Sequence, residues 1–155
     1  MDINNLNNTP DTTANYDPKD IEDNKVLALF SYIGLLFLIP LLAAKDSKYA
    51  RFHVNQGIVL FIVDILIGVV SGVLGWIPIL GILVGIVCGL AGICCLILAI
   101  IGIINAYNGK AKELPIIGKF RVLKDVDSQP AAQEAPAEEV PAVEEPKEEP
   151  KDDNQ

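Results

Sequence analysis

The chain has 155 residues, 51% of them apolar, and a formal net charge of −8. The charge falls in blocks: residues 1–25 are net −4, residues 26–124 net +5 and residues 125–155 net −9, so a basic, very apolar body stands between two acidic tails. Positive charge this sparse and local argues against nucleic-acid binding, and the long uncharged runs argue against an ordinary soluble domain.

Residues 1–20 are rich in Asn, Asp and Thr and offer little apolar surface, so a disordered acidic tail is expected there. Ile21 to Lys25 can start a helix, with Glu22 and Asp23 favouring its N-terminus. Val26 to Ala44 is a run of 19 uncharged residues and predicts a first crossing, since a bilayer core about 30 Å thick takes about 20 helical residues. The acidic flank and the length of this run do not fit a cleaved signal peptide. Neither Met1-Asp2 nor the final Asp-Asp-Asn-Gln is a lipidation signal. The loop Lys45–Arg51 holds three cations. Asn55 to Gly75 predicts a second crossing whose single charge is Asp64. Gly75-Trp76-Ile77-Pro78 predicts an interfacial turn. Ile79 to Tyr107 predicts a third crossing, long enough that it must tilt or project from the membrane.

These elements predict an all-α fold: an integral membrane three-helix bundle, with helices 2 and 3 in a tight Gly-rich antiparallel hairpin and disordered acidic tails. Three crossings put the cations of 45–51 on the same side as Lys110, Lys112, Lys119, Arg121 and Lys124. The positive-inside rule makes that side cytoplasmic, giving N-out and C-in in a bacterial cytoplasmic membrane.

Small residues recur in the third crossing at Gly81, Gly85, Cys88, Gly92, Cys95, Ala99, Gly102 and Ala106, at alternating spacings of four and three. Lipid gives helices no hydrophobic reason to associate, so close approach along small residues is a main source of packing. The second crossing shows a matching row at Gly57, Phe61, Asp64, Gly68, Ser71 and Gly75, and Gly68 and Gly72 add a shorter small motif. The seam can join helices within one chain, to a second copy, or to another membrane protein. Cys88, Cys94 and Cys95 show no Cys-x-x-Cys spacing and suit packing as small apolar residues. No cofactor or metal is expected.

Asp64 is the only charge within a crossing. An intramembrane acid is a functional-site candidate by default; the favoured alternative is a neutral acid that bonds to a hydroxyl and fixes helix register. Ser31 and Tyr32 reach a similar depth and are the expected donors, and Ser71 completes a polar band. Arg51, Phe52, His53, Asn55, Gln56 and Gly57 cluster where the loop enters the second crossing, level with Asn105 and Asn108. Such a cluster can cap the helix or bridge to the end of the third crossing; ligand binding is the lesser reading. Residues 110–124 mix five cations with apolar side chains around Pro115 and Gly118, which reads as an interfacial segment on anionic lipid. Residues 125–155 hold five prolines and eleven acids, and are expected to stay disordered.

The strings Glu22-Asp23-Asn24-Lys25, Phe52-His53-Val54-Asn55-Gln56-Gly57, Asn105-Ala106-Tyr107-Asn108-Gly109 and Leu114-Pro115-Ile116-Ile117-Gly118 occur in that order across residues 20–124. In them the chain resembles a family of small bacterial membrane proteins grouped as similar to the chloroplast inner-envelope import component of the Tic translocon. The resemblance implies a multi-helix membrane protein. The chloroplast relative belongs to a protein-import channel and is described with four helices, whereas this chain offers three, which speaks against a pore from one copy.

An enzyme is not expected. Aspartyl proteolysis in a membrane needs two carboxylates, and neither Ser31 nor Ser71 has a base at its depth. The leading reading is a scaffold or assembly subunit whose cytoplasmic face binds lipid or a partner. The alternative is an oligomeric pore or translocon-like transport subunit using Asp64.

Overall fold

A computed structural model describes residues 8–123; Lys124 and the acidic tail expected at 125–155 lie outside the described residues. The first helix, α1 (Pro18–Leu29), starts where the sequence chemistry allows it. Asp17 accepts from the Lys19 amide at 2.8 Å, and Pro18 occupies the first position, where no backbone donor is needed.

The apolar run that follows does not continue as one helix. Two 3-10 turns, Phe30–Tyr32 and Gly34–Phe37, lead into a short helix, α2 (Leu38–Ala43). Gly34 has φ 50°, a conformation glycine adopts at little cost. Pro40 sits within the first turn of α2, where its missing N–H breaks no helical bond. The chain therefore folds back on itself. Asn24 of α1 and Ala43 and Ala44 at the end of α2 line one cavity of about 300 Å³, together with Asp20, Asp46 and Ser47. Over Val26–Ala44, expected as a first crossing, the chain makes no single long helix; it turns back as a re-entrant element whose two ends lie together. Absence of charge reported the run's preferred solvent and not its path.

Two long helices form the rest of the frame. Ser47 caps α3 (Lys48–Leu74) by accepting from the Ala50 amide at 2.9 Å. A turn at 75–79 leads into α4 (Leu80–Tyr107). That turn closes as a γ-turn: the Leu80 amide donates to the Pro78 carbonyl at 2.8 Å across Ile79, at φ 70° and ψ −55°. This backbone is strained for a β-branched residue. The helices are antiparallel, with Gly75 against Gly81 at one end and the Tyr49 hydroxyl donating to the Ala106 carbonyl at 2.9 Å at the other. They have 27 and 28 residues, or about 40 Å each, and both are long and apolar enough to cross a membrane. In the most apolar stretch of each, only 17% of residues are buried. A soluble core helix would be mostly buried, so these surfaces are made for lipid.

The buried core lies at the opposite end from the turn. It joins Tyr16, Tyr32, Tyr49, Phe52, Ala106, Leu114 and Ile117. After α4 the chain runs back over this end as an irregular cap, residues 110–123, with a second γ-turn at Pro115-Ile116-Ile117. Residues 10–13 cross the cap as a strap. The Thr12 amide donates to the Ala111 carbonyl at 3.0 Å, the Glu113 amide to the Pro10 carbonyl at 3.3 Å, and Asp11 and Lys112 form an isolated bridge.

Residues 8–20, expected without structure, have a defined path. The strap and the cap share one end of the α3–α4 pair, and two long apolar helices lie among the described residues.

Candidate functional site: a buried polar junction

The first three turns of α3 place Tyr49, Phe52, His53, Asn55 and Gln56 at 0–1% exposure. Buried polar groups must find partners, and here they tie down the cap, the re-entrant element, α1 and α4. The Asn55 side chain acts as a surrogate peptide for the cap: Nδ2 donates to the Phe120 carbonyl at 2.8 Å, and Oδ1 accepts from the Val122 and Leu123 amides at 2.6 and 3.0 Å. Gln56 does the same one turn of cap earlier, donating to the Lys112 carbonyl at 3.2 Å and accepting from the Leu114 amide at 2.8 Å. His53 reaches the re-entrant element, where Nδ1 and the Tyr32 hydroxyl share a hydrogen bond of 2.8 Å. Its ring sits edge-on to those of Tyr49, Phe52 and Tyr32, with centroids 4.8–5.8 Å away. Tyr49 joins α1 to α4: its amide donates to Asp20 Oδ2 at 3.1 Å and its hydroxyl to Ala106.

Two glycines set how closely the elements approach. A Cβ at Gly57 would collide with the Ser31 backbone carbonyl, and one at Gly102 with the Tyr32 ring. Phe52 carries Tyr16 at a centroid distance of 5.8 Å and the Arg121 guanidinium at 5.8 Å. Arg121 also pairs with Glu113 at 2.9 Å; at this exposure the pair adds little stability. Arg51 donates to the Lys45 carbonyl at 3.2 Å. Asn105 is buried and its carbonyl accepts from the Lys110 amide, while Asn108 is exposed at the end of α4. Lys110 and Lys119 are exposed and Lys112 is half-buried. In the strap, burial works against the charge of Asp11. The Thr13 hydroxyl and amide, then Lys112 and Lys110, outweigh it and hold that carboxyl below its ordinary value.

The intramembrane polar band does not assemble. Tyr32 is engaged by His53, Ser31 Oγ is buried without a hydrogen-bond partner, and Ser71 lies half-buried near the far turn. Asp64 is exposed on α3, and its neighbour is the Cys95 thiol. The small-residue seam is only partly closed. Gly81 meets Gly75, and Gly102 meets the re-entrant element and not α3. Cys88 and Ala99 are half-buried and Cys95 is buried. Gly68, Gly72, Gly85 and Gly92 have open space where a side chain would be. In the middle of the pair Val59, Leu60 and Cys95 belong to the buried core, while these four glycines border open space.

Tyr49, Asp20, Thr12 and Thr13 were not singled out from sequence. Tyr49 had a usable signal, since it lies four residues before His53 on one helical face. The others bond to residues far away in the chain and had none. Among the described residues, no three His, Cys, Asp or Glu side chains gather as a metal site. The junction orders backbone; His53 is buried and presents no face to a soluble substrate.

Residues 23–121 match the sequence profile of the magnetosome magnetite crystal formation protein family, MamF_MmsF. Two curated relatives, both described as magnetosome protein MamF, are similar over 41 residues, 26% of this chain. That of Paramagnetospirillum magneticum is 42% identical, and that of Magnetospirillum gryphiswaldense 44%. The chain spans 37% of the length of either relative. No solved structure matches. These matches overturn the resemblance to the Tic-related family and with it the protein-transport reading. The strings that suggested it include those that build the junction, and a junction reports how a chain folds, not what it does.

Proposed function

Because the chain belongs to the MamF_MmsF family of magnetosome magnetite crystal formation proteins, we propose that it is a magnetosome membrane protein that serves crystal formation as a structural component, without chemistry of its own. The observation that carries this reading is the extent of the match. It runs over residues 23–121, from within α1 through both long helices into the cap, and so takes in most of the folded body. Complementation tests it. In a magnetotactic bacterium lacking its own family member, expression of this chain should restore crystal size, as measured by electron microscopy, and should recover the protein in purified magnetosome membrane. Unchanged crystals, with the protein confined to the cytoplasmic membrane, would overturn the reading.

The proposed topology is two crossings and one re-entrant element, with both chain ends cytoplasmic. Lys45, Lys48, Arg51, Lys110, Lys112, Lys119 and Arg121 all belong to the end that holds the junction, and the far turn, 75–79, has no charge. Labelling with a membrane-impermeant thiol reagent, in a background where Cys88, Cys94 and Cys95 are Ala, checks this. Trp76→Cys should label in intact cells and Asn8→Cys only after permeabilisation. Label on both in intact cells would refute it.

We also assign the glycine-lined outer surface of α3 and α4 to contact with a second copy. An exposed Asp64 facing hydrocarbon costs roughly 2.5–3.5 kcal/mol, and the neighbouring Gly68 and Gly72 leave room for another helix. Disulfide capture between chains through exposed Cys94 is the expected mark of that contact.

A further inference from the structure

The re-entrant element has a depth, and the depth has a consequence. Its two ends lie together, since Asn24, Ala43 and Ala44 share a cavity wall with Ser47 at the start of α3. Phe37, where the chain turns back into α2, has its ring 5.5 Å from that of Phe61. Phe61 is five residues beyond Gln56, the last polar side chain of the junction, or about 7–8 Å further along the helix. One leaflet of hydrocarbon is about 15 Å deep. The element therefore stops inside the leaflet it enters.

Its outer face is made for acyl chains. Ile33, Leu35, Leu38, Ile39 and Leu42 are exposed, and no charge occurs between Val26 and Ala44. In the other leaflet the described chain offers only α3 and α4, thinned by Gly68, Gly72, Gly85 and Gly92. The protein is broad in one leaflet and narrow in the other.

We propose that the re-entrant element is a one-leaflet wedge, and that it makes the chain favour strongly curved membrane with the junction on the convex side. The partner is a lipid surface. Apolar bulk inserted in one leaflet crowds that leaflet in a flat bilayer and fits without crowding where the leaflet is stretched over a convex surface, which is why shallow apolar insertions sense curvature. The inference rests on the two-crossing topology proposed above. In a vesicle budded into the cytoplasm, the cytoplasmic leaflet is the convex one, so the wedge would sort the chain into vesicles and away from flat membrane.

The test uses the full chain, fluorescently labelled and reconstituted in giant vesicles of phosphatidylcholine and phosphatidylglycerol, with narrow tubes drawn from them. Protein oriented junction-outward should be severalfold denser on the tube than on the flat vesicle. The triple variant Leu35→Ser/Leu38→Ser/Leu42→Ser should lose the enrichment. Because that variant can misfold, a second measurement stands beside it. With Trp76 changed to Phe, Leu35→Trp gives a single tryptophan, which brominated lipids should quench at mid-leaflet depth. Equal density on tube and flat membrane overturns the wedge. A Leu35→Trp reporter shielded from lipid, as by a second copy covering this face, overturns it too. If Ala43→Cys labels from the side opposite Asn8→Cys, the segment crosses fully, and wedge and topology fall together. Same-side labelling with equal densities rejects the wedge alone.

Discussion

Gly57→Ala is expected to pull the re-entrant element off α3. The new methyl group would occupy the space of the Ser31 carbonyl, and both partners are backbone, so no rotamer change relieves the clash. Overpacking of this kind costs about 1–3 kcal/mol and at times more, and a backbone–backbone clash belongs at the upper end. The loss should appear as a lowered unfolding midpoint in mild detergent, followed by circular dichroism. Gly102→Ala presses on the Tyr32 ring, a side chain, but one held by His53, so it should cost less while still being measurable. Gly68→Ala is the control. Its Cβ meets nothing, and Ala favours a helix over Gly by about 1 kcal/mol, so stability of the single chain should hold or rise. If Gly57→Ala unfolds with the wild-type midpoint, the close contact between the re-entrant element and α3 does not exist.

The second large effect is expected at Asn55→Ala, and it is local. Removal of this side chain strips partners from the Phe120 carbonyl and the Val122 and Leu123 amides together. A buried group left without a partner costs about 1–3 kcal/mol. The cap can peel away to water, which limits the total to about 2 kcal/mol, or about thirtyfold in the population of the open cap. Trypsin cleavage at Lys119 and Arg121 reads that population directly while α3 and α4 stay intact. Asn55→Asp keeps the acceptor for the two amides and loses the donor to Phe120, so its cleavage rate should fall between those of wild type and Asn55→Ala. Equal rates for all three would mean that Asn55 does not hold the cap.

How much of this was legible follows from what each signal measures. Apolar length finds helices that lie in lipid, and Asn55–Gly75 and Ile79–Tyr107 stand close to the observed Lys48–Leu74 and Leu80–Tyr107. Over Val26–Ala44 the same measure cannot tell a chain that turns back from one that continues as a helix, since both are equally apolar. Gly34 and Pro40 were the visible hints, but membrane helices tolerate both. The cluster from Arg51 to Gly57 announced itself by placing polar residues where a crossing begins. Which carbonyls it would meet was not visible, since residues 110–123 have no regular pattern to align. The strap was least legible of all: Thr12 and Thr13 are ordinary residues in an acidic stretch, and their partner Ala111 lies 98 or 99 positions away. That Gly68, Gly72, Gly85 and Gly92 border open space was hidden for another reason. A row of small residues shows where a helix could approach and is silent on whether it does.

The turn between the long helices bears on how the proposed function could be exerted. In the topology proposed, Gly75-Trp76-Ile77-Pro78-Ile79 is the part of the described residues that faces the vesicle lumen, with Trp76 and Ile79 the most exposed. No side chain there can ionise, so none can draw iron to a nascent crystal face or buffer the protons that precipitation releases. An effect on crystal growth would then reach the mineral from outside, through the size and shape of the vessel in which it grows.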